Sequence, residues 1–224
     1  MLTDSNTTTD VNGTYVDNAF TMSLRPKEAK SKYSNGPWLV KMLRKHADGI
    51  LKAAQNSLIA DLLAGTPGQT STLPTGQIDF YAESEAESLI NLGHIARAVS
   101  YIMANFEVLP GEMAIAMPPA AFGNFTALKA TSVSAPQLIE ATGMYRFMGV
   151  DIYPIAGAAS FGSANNPCAY VTHKDSLLYV QDEPFLHGGA PLAASDGTVK
   201  WITIGPYAHA IVSNFFAEVL NGAS

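Results

Sequence analysis

Charged residues and cysteine are both scarce in this sequence. Lysine, arginine, aspartate and glutamate make up 14% of the 224 residues, well below the ~25% that is usual for a soluble globular protein. The one cysteine, Cys168, excludes an internal disulfide framework. So few charges leave less polar surface than a monomer needs, and burial against copies of the same chain would account for this. A monomer with serine, threonine and asparagine on its surface is the alternative.

A net positive charge is also missing. The formal net charge is −6, so no overall basic field attracts nucleic acid. Two local basic groups are candidates for phosphate contacts, although a solvated face is the simpler interpretation of both. They are Arg25, Lys27, Lys30 and Lys32, and Lys41, Arg44 and Lys45.

Long hydrophobic runs are absent too. The N-terminus has no basic stretch followed by an apolar core, so we expect no Sec-type signal. The most apolar tract, residues 201–220, is a poor membrane span because polar residues and a proline interrupt it. These are Pro206, His209, Asn214 and Glu218. We therefore expect a soluble protein without a membrane partner.

Familiar catalytic and metal-binding motifs are missing as well. No histidine is four residues from another metal ligand on a predicted helix, and a surface position or a hydrogen-bonded structural role is the simpler interpretation of all five. They are His46, His94, His173, His187 and His209. Cys168 lies in an apolar strand, which favours a buried, unreactive thiol. Ser160 lacks the spacing of a nucleophile elbow. The turn at residues 65–68 lacks the lysine of a phosphate-binding loop. We predict no catalytic, cofactor-binding or metal-binding residue.

The N-terminal third predicts an arm, an extended segment and a long helix. Residues 1–13 are polar and suggest a mobile arm. Residues 14–24 alternate as extended structure does, and residues 25–36 suggest a loop or the second limb of a hairpin. Residues 38–64 then predict an amphipathic helix of about 40 Å, with Pro37 at its start and Gly65 as its C-cap. Its expected buried stripe is Leu39, Leu43, Ala47, Ile50, Leu51, Ala54, Leu58 and Leu62.

A glycine- and proline-rich stretch, residues 66–76, predicts a loop, and a second helix follows over residues 84–106. Ser84 and Glu87 form a capping box, and acidic residues suit the helix N-terminus. Capping also explains Glu83, Glu85 and Glu87 better than a metal site or an acid–base pair does. The expected buried stripe of this helix is Leu89, Leu92, Ala96, Val99, Met103 and Phe106.

The segment from residue 107 to residue 155 is the centre of the chain. A turn at Pro110-Gly111 leads into a strand over residues 113–117, and a short helix over residues 120–129 follows the prolines that end it. A second extended run, residues 145–155, is broken at Gly149.

The C-terminal part predicts mainly strands. We expect a loop over residues 156–167, strands over residues 168–173 and 176–181 around a tight Lys174-Asp175 turn, and another loop over residues 183–197. After residues 198–204, the pattern of residues 207–220 fits a strand or a helix equally well.

In this order, the elements resemble the major capsid protein of tailed double-stranded DNA bacteriophages, whose Hong Kong 97 fold is shared with encapsulins. The stretch LIADLLAGTPGQTSTLPTG is similar to the end of that family's spine helix and the loop after it. Similar stretches follow in HIARAVSYIMANFEVLPGEMAIAMPPAAFGNF, GMYRFMGVDIYPIAG and CAYVTHKDSLLYVQ. The resemblance covers about residues 37–204. The chain is short for that family, because only about 36 residues precede the spine helix, so an extended loop there is abbreviated or the chain is a processed product.

The resemblance implies an α+β subunit with a long spine helix, a peripheral domain, and an axial domain around a central β-sheet. It implies an arm and extended-loop-like segment over residues 1–36, a peripheral domain over residues 37–83 and 198–224, and an axial domain over residues 84–197. Many copies would form the hexamers and pentamers of an icosahedral head, assembled in the bacterial cytoplasm and located in the virion. Scaffolding, portal and cement proteins would be partners, packaged DNA would be contacted only non-specifically, and no cofactor would be needed.

Three other functions stay open at this point. An encapsulin-type compartment shell would use the same fold around cargo enzymes instead of DNA. A head decoration or tail protein would bind preformed shells. A small hydrolase with an unrecognised site would stay a small oligomer and turn over a substrate.

Overall fold

A computed structural model describes residues 14–16, 19–24, 37–128, 137–139, 144–156, 161–163, 165–181, 185–188, 199–204, 207–211 and 215–223. The predicted arm, residues 1–13, and the polar stretch 25–36 lie outside these ranges. The chain divides into two compact units, residues 1–55 with 179–210 and residues 56–178 with 211–224. The arm, peripheral and axial domains expected from the resemblance have other limits and stay a prediction.

The described residues combine three α-helices with thirteen β-strands, a mixture of the α+β class. The helices are α1 (Pro37–Ala64), α2 (Glu85–Phe106) and α3 (Pro119–Thr126). The strands are β1 (Thr14–Val16), β2 (Ala19–Leu24), β3 (Gln69–Thr72), β4 (Met113–Met117), β5 (Gln137–Ile139), β6 (Met144–Phe147), β7 (Val150–Pro154), β8 (Pro167–His173), β9 (Leu177–Gln181), β10 (Phe185–Gly188), β11 (Val199–Ile204), β12 (Tyr207–Ile211) and β13 (Phe216–Leu220).

Helix α1 has the length that its sequence predicts. It begins at Pro37, where proline removes an amide that has no helical partner, and its 28 residues span about 42 Å. The Gly65 amide donates to the Asp61 carbonyl at 2.8 Å just after the last turn. A Cβ atom on Gly65 would lie 2.6 Å from Ile211 Cδ1. Close packing therefore favours glycine at this helix end, since a larger residue would have to displace Ile211.

The predicted buried stripe of α1 is partly wrong. Ala47 is exposed, Leu51 is 50% exposed, and Ile59, which is not in the stripe, is buried. Ile59 is nine residues from Ile50 and therefore about 180° around the helix from it, so one stripe cannot contain both. The stripe members that are buried are Ile50, Ala54 and Leu62, and Leu58 is partly buried. The side chains of Leu39 and Leu43 lie outside the described part of the chain.

A seven-stranded mixed sheet forms the centre of the second unit, in the order β3-β13-β8-β4-β7-β6-β5. In its middle, β4 runs parallel to β7, with Ile115 opposite Ile152. On its other side β4 runs antiparallel to β8, with Ile115 opposite Val171. The predicted strands over residues 113–117 and 168–173 are confirmed, and the run 145–155 is confirmed as two strands that turn at Met148-Gly149.

Helix α2 packs on one face of this sheet. Leu92, Ile95 and Val99 share a core cluster with Met113 and Ile115 of β4. The predicted stripe is offset by about one residue, since Ile95, Ala98 and Ile102 are more deeply buried than Ala96 and Met103. Apolar residues stand next to one another at 95/96, 98/99 and 102/103, so periodicity alone admits both faces.

The opposite face of the sheet is covered by the last turns of α1. Ile59 and Leu62 form a second core cluster with Phe161, Tyr170 and Phe216. The Tyr170 ring stacks on Phe161 at a centroid distance of 5.4 Å and meets Phe216 edge-on at 5.9 Å. The sheet is therefore buried on both faces in its middle.

The loop predicted for residues 66–76 contains a strand, so that prediction is wrong in its centre. Strand β3 pairs in parallel with β13, and Gln69 lies opposite Ala217. The Gly68 amide donates to Phe216 O and the Leu73 amide to Leu220 O, both at 2.9 Å. Polar Gln, Thr and Ser residues form this strand because it lies at the sheet's edge and needs no continuous apolar face.

Two further predictions need correction or completion. The loop predicted over residues 183–197 contains β10, which pairs with β11. The choice left open for residues 207–220 is settled, because β12 and β13 are both strands. The short helix α3 ends at Thr126 instead of residue 129, and the tight turn after His173 is a 3-10 turn over Lys174–Ser176.

Two three-stranded sheets contain the remaining strands. One has the order β10-β11-β2, and in it Trp201 of β11 lies opposite Met22 of β2. The other has the order β1-β12-β9, with Tyr15 opposite Ala208. The extended structure predicted for residues 14–24 is confirmed for β1 and β2, and residues 17–18 lie outside the described ranges.

Candidate functional site

No group of three or more histidine, cysteine, aspartate or glutamate side chains that could hold a metal ion occurs among the described residues. Within the same ranges, none of the helices combines the length and apolarity needed to cross a bilayer. Several of the titratable side chains in the described ranges make specific structural contacts.

His94 links α2 to the edge strand β3. Its ring is buried, and Nδ1 lies 2.6 Å from Ser71 Oγ. Burial lowers the pKa of His94, and the Arg97 charge lowers it further. A neutral imidazole therefore holds these two elements together at neutral pH.

Cys168 is buried, as its apolar strand predicts. Its Sγ atom lies 3.3 Å from the carbonyl oxygen of Val219 on the neighbouring strand. Burial raises the pKa of the thiol far above its usual range, and the Asp79 charge adds to this. Because the thiolate is the reactive form, Cys168 serves packing instead of nucleophilic chemistry.

The side chains of Ser84 and Glu87 accept hydrogen bonds from backbone amides at the start of α2. Ser84 Oγ accepts from the Glu87 amide at 3.2 Å, and Glu87 Oε2 accepts from the Glu83 amide at 2.7 Å. Ser84 is confirmed as the N-cap, but the reciprocal bond of the predicted capping box runs from the Glu83 amide instead of the Ser84 amide.

Asp151 is the centre of a small ion cluster. It is buried on β7 and accepts a hydrogen bond from Arg146 Nε of β6. Lys174 Nζ lies 3.7 Å from the other carboxylate oxygen and donates to the Gly111 carbonyl at 2.7 Å. The cluster fastens the β6–β7 hairpin to the turn after β8 and balances the buried charge.

Asn221 joins the C-terminal end of the sheet to two loops. Its Nδ2 donates to the carbonyls of Gly162 and Ser163 at 3.0 and 3.1 Å, and its Oδ1 accepts from the Asp79 amide at 2.8 Å. Burial raises the pKa of the neighbouring Asp79 carboxyl, although its hydrogen bond with Asn221 opposes this. The side chain is almost fully buried, so this network is a structural anchor.

Large apolar side chains are exposed on the second unit. Leu109 is 68% exposed and Tyr81 is 58% exposed, and Ile90 and Met148 are also exposed. Exposed apolar groups of this size are typical of surfaces that contact other proteins when they occur in patches.

An open groove runs between β3 and the outward side of α2, with a volume of about 470 Å³. Gln69 lines it from β3, and Ala96, Arg97, Ser100, Tyr101 and Ala104 line it from α2. Gln69 Oε1 is buried there and has no hydrogen-bond partner among the described residues. We call this feature the β3–α2 groove. Sequence reasoning missed it because β3 was predicted to be loop.

No protein-family model matches the chain, and no curated protein matches its sequence. Solved structures do match. The capsid of an empty GTA particle matches 100% of this chain and 80% of its own, with a TM-score of 0.65 and 14% sequence identity. The mature capsid of bacteriophage PhiM1 matches 94% of this chain and 72% of its own, with a TM-score of 0.63 and 11% identity. The capsid of cyanophage P-SCSP1u matches 96% of this chain and 74% of its own, with a TM-score of 0.62 and 12% sequence identity.

This chain has a capsid fold. The predicted Hong Kong 97-like architecture, a long helix combined with a central mixed sheet, is confirmed. At these identities the similarity shows the path of the chain and not the role of any single residue. The buried anchors described above stabilise the capsid fold, and its exposed features include the β3–α2 groove and apolar side chains such as Leu109 and Tyr81.

Proposed function

We propose that this chain is a major capsid protein that assembles with its copies into the icosahedral shell of a phage-type particle and encloses packaged DNA. The observation that carries this proposal is the match of its fold, over 94% to 100% of its length, to capsids of a GTA particle, bacteriophage PhiM1 and cyanophage P-SCSP1u. In this proposal the subunit acts by assembly and not by catalysis.

Composition and surface support the same proposal. Charged residues are only 14% of the sequence, and Leu109 and Tyr81 are largely exposed in the isolated chain. Both features fit a subunit whose exterior becomes an interface. The net charge of −6 limits adhesion of enclosed DNA to the shell, so contacts with DNA would be non-specific.

The finer parts of the proposal rest on the family resemblance. The subunits would form hexamers and pentamers, with scaffolding, portal and cement proteins as partners. Assembly would take place in the bacterial host cytoplasm, and the product would be the virion head. The peripheral domain, residues 37–83 and 198–224, and the axial domain, residues 84–197, belong to the same proposal.

Imaging of the purified full chain tests the function directly. We expect negative-stain electron microscopy to show closed shells or capsomers, either of the chain alone or after addition of a scaffolding protein. Particles that contain cargo enzymes in place of DNA in the native host would favour a compartment shell. Binding only to preformed heads would favour a decoration protein and contradict the proposal.

A further inference from the structure

The dipeptide Asn221-Gly222 follows directly after β13, and it is a chemically reactive pair. The backbone nitrogen of a glycine can attack the side-chain carbonyl carbon of a preceding asparagine, because glycine has no Cβ atom to hinder the approach. The new nitrogen–carbon bond closes a succinimide ring, and the side-chain nitrogen leaves as ammonia with the proton that the glycine nitrogen loses. Water then opens the ring to aspartate or isoaspartate. The same dipeptide occurs at Asn12-Gly13 and Asn35-Gly36.

The fold holds the Asn221 side-chain amide in place. Its Nδ2 donates to the carbonyls of Gly162 and Ser163 at 3.0 and 3.1 Å, and its Oδ1 accepts from the Asp79 amide at 2.8 Å. The residue is 1% exposed, so no bulk water reaches the amide. The side chain cannot turn toward the next backbone nitrogen unless these three bonds break.

The attacking nitrogen is held as well. The Gly222 amide donates to the Gln77 carbonyl at 2.9 Å, so the proton that must leave is engaged in a hydrogen bond. The Ala223 carbonyl, one residue further on, accepts from the Gly76 amide at 2.9 Å. The folded subunit therefore blocks both halves of the reaction.

Packing also keeps the reactive pair in the sequence. A Cβ atom on Gly222 would lie 2.0 Å from the Pro74 carbonyl oxygen, so a larger residue fits only if the backbone shifts. Loss of the Asn221 amide would leave the Gly162 and Ser163 carbonyls without this donor. The fold thus retains a dipeptide that is protected only while this end of the sheet stays closed.

We propose that Asn221-Gly222 is a gated deamidation site, which reacts when the C-terminal end of the sheet opens and then prevents that subunit from closing again. The reaction needs only water as a co-reactant, and nothing is oxidised or reduced. It would convert a reversible opening into a permanent loss of the subunit. This inference concerns the single subunit and does not depend on shell assembly.

The product fits the closed site badly. A carboxylate at position 221 has no hydrogen to donate to the Gly162 and Ser163 carbonyls. It would also face the Asp79 carboxyl, whose Oδ1 lies 3.5 Å from Asn221 Nδ2, and two carboxyl groups this close cannot both ionise without a cost. Isoaspartate adds a methylene group to the backbone and would displace the Gly222 amide from the Gln77 carbonyl.

Deamidation rates of the full chain, folded and denatured, test the gate. The unassembled chain is kept at mildly alkaline pH in buffer or in guanidinium chloride, and mass spectrometry of its peptides measures the conversion of each asparagine to an acid. Asn12, Asn35 and Asn221 should react at comparable rates in guanidinium chloride. In buffer Asn221 should react at least about tenfold more slowly, because only the open fraction reacts. Equal rates at Asn221 in the two solutions would overturn the inference.

A glycine variant checks the chemistry where folding plays no part. In guanidinium chloride, Gly222→Ala should slow the reaction at Asn221 and leave that at Asn12 unchanged, because the added Cβ hinders the attack. An unchanged rate at Asn221 would show another route and contradict the proposed reaction.

Refolding tests whether the loss is permanent. Asn221→Asp supplies the carboxylate of the product, and Asn12→Asp is the matched control because it adds the same charge in the predicted arm. After dilution from guanidinium chloride, size-exclusion chromatography should show a smaller refolded fraction for Asn221→Asp than for the parent, and no loss for Asn12→Asp. Equal refolding of the two variants would show that the closed site accepts the product and would contradict the proposal.

Discussion

At the scale of single residues, buried polar side chains connect parts of the chain that are distant in sequence. The sequence does not reveal these contacts. Asn221 holds carbonyls of two neighbouring loop residues and one backbone amide, and Asp151 holds two cations. Each lies far along the chain from at least one of its partners, so no sequence pattern indicates the contact. The sequence identified Cys168 as buried because its neighbours are apolar, but nothing marked Asn221 as an anchor.

Removal of the Asn221 side chain should destabilise the subunit strongly. Asn221→Ala leaves the Asp79 amide and the two loop carbonyls without this partner, and we expect a loss of about 3 kcal/mol in the free energy of unfolding. Urea denaturation of the unassembled chain measures it. Asn105→Ala is the control, because Asn105 is exposed and makes one bond within α2, and its cost should stay below about 0.5 kcal/mol. Equal effects of the two variants would refute the role of Asn221.

His94 should make stability fall in mild acid. Its pKa in the folded chain lies below the ordinary 6.5, because of burial and the Arg97 charge. Well above pH 6.5 the ring is neutral in both states and has no effect. As the pH falls below 6.5 the unfolded chain takes up the proton first, so the folded state loses stability.

The variant His94→Asn removes this titration and keeps a side chain that can bond to Ser71. Its free energy of unfolding should change less than that of the parent between pH 6.5 and pH 5. Burial raises the pKa of Asp79 and Glu218, which has the opposite effect on stability, but both carboxyls are present in parent and variant. His173→Asn, at a partly exposed position, is the control. Identical pH profiles of the parent and His94→Asn would rule out this role.

At the scale of elements, replacing glycine by alanine should have opposite effects on the free energy of unfolding at Gly65 and at Gly49, which lie at the end of α1 and inside it. A Cβ atom on Gly65 would lie 2.6 Å from Ile211 Cδ1 and 3.1 Å from the Asp61 carbonyl oxygen, while a Cβ atom on Gly49 meets nothing within 4 Å. Gly65→Ala should therefore lower the free energy of unfolding by about 1–3 kcal/mol. Gly49→Ala, inside α1, should raise it by about 0.5–1 kcal/mol.

Thermal or urea denaturation of the two glycine variants decides this point. Stabilisation by both substitutions would show that Ile211 moves aside at no cost, and destabilisation by Gly49→Ala would show a contact at Gly49 that the structure lacks.

Elements were predictable where local periodicity or capping determines them. Both long helices, the Ser84 cap and the strand 113–117 follow from residues close in sequence. Strand β3 was missed because its stability comes from pairing with β13, which lies about 148 residues further along the chain. The buried face of α2 was offset because adjacent apolar pairs such as Ile95-Ala96 satisfy two helical faces equally well.

At the scale of the whole molecule, the order of elements was more informative than any single motif. The long helix, the proline-ended strand and the hairpin at Gly149 together indicated a capsid fold, although the similar structures share only 11–14% of residues with this chain. The β3–α2 groove could not be predicted, because it exists only after α2 lies beside an edge strand that the sequence does not reveal.

The most direct test of the central claim is cryo-electron microscopy of the full chain under assembly conditions. The capsid assignment predicts closed shells whose repeating subunit contains the seven-stranded sheet with the last turns of α1 packed against it. A protein that stays at its monomer mass of 23.7 kDa at every concentration, with or without scaffolding protein, would contradict it.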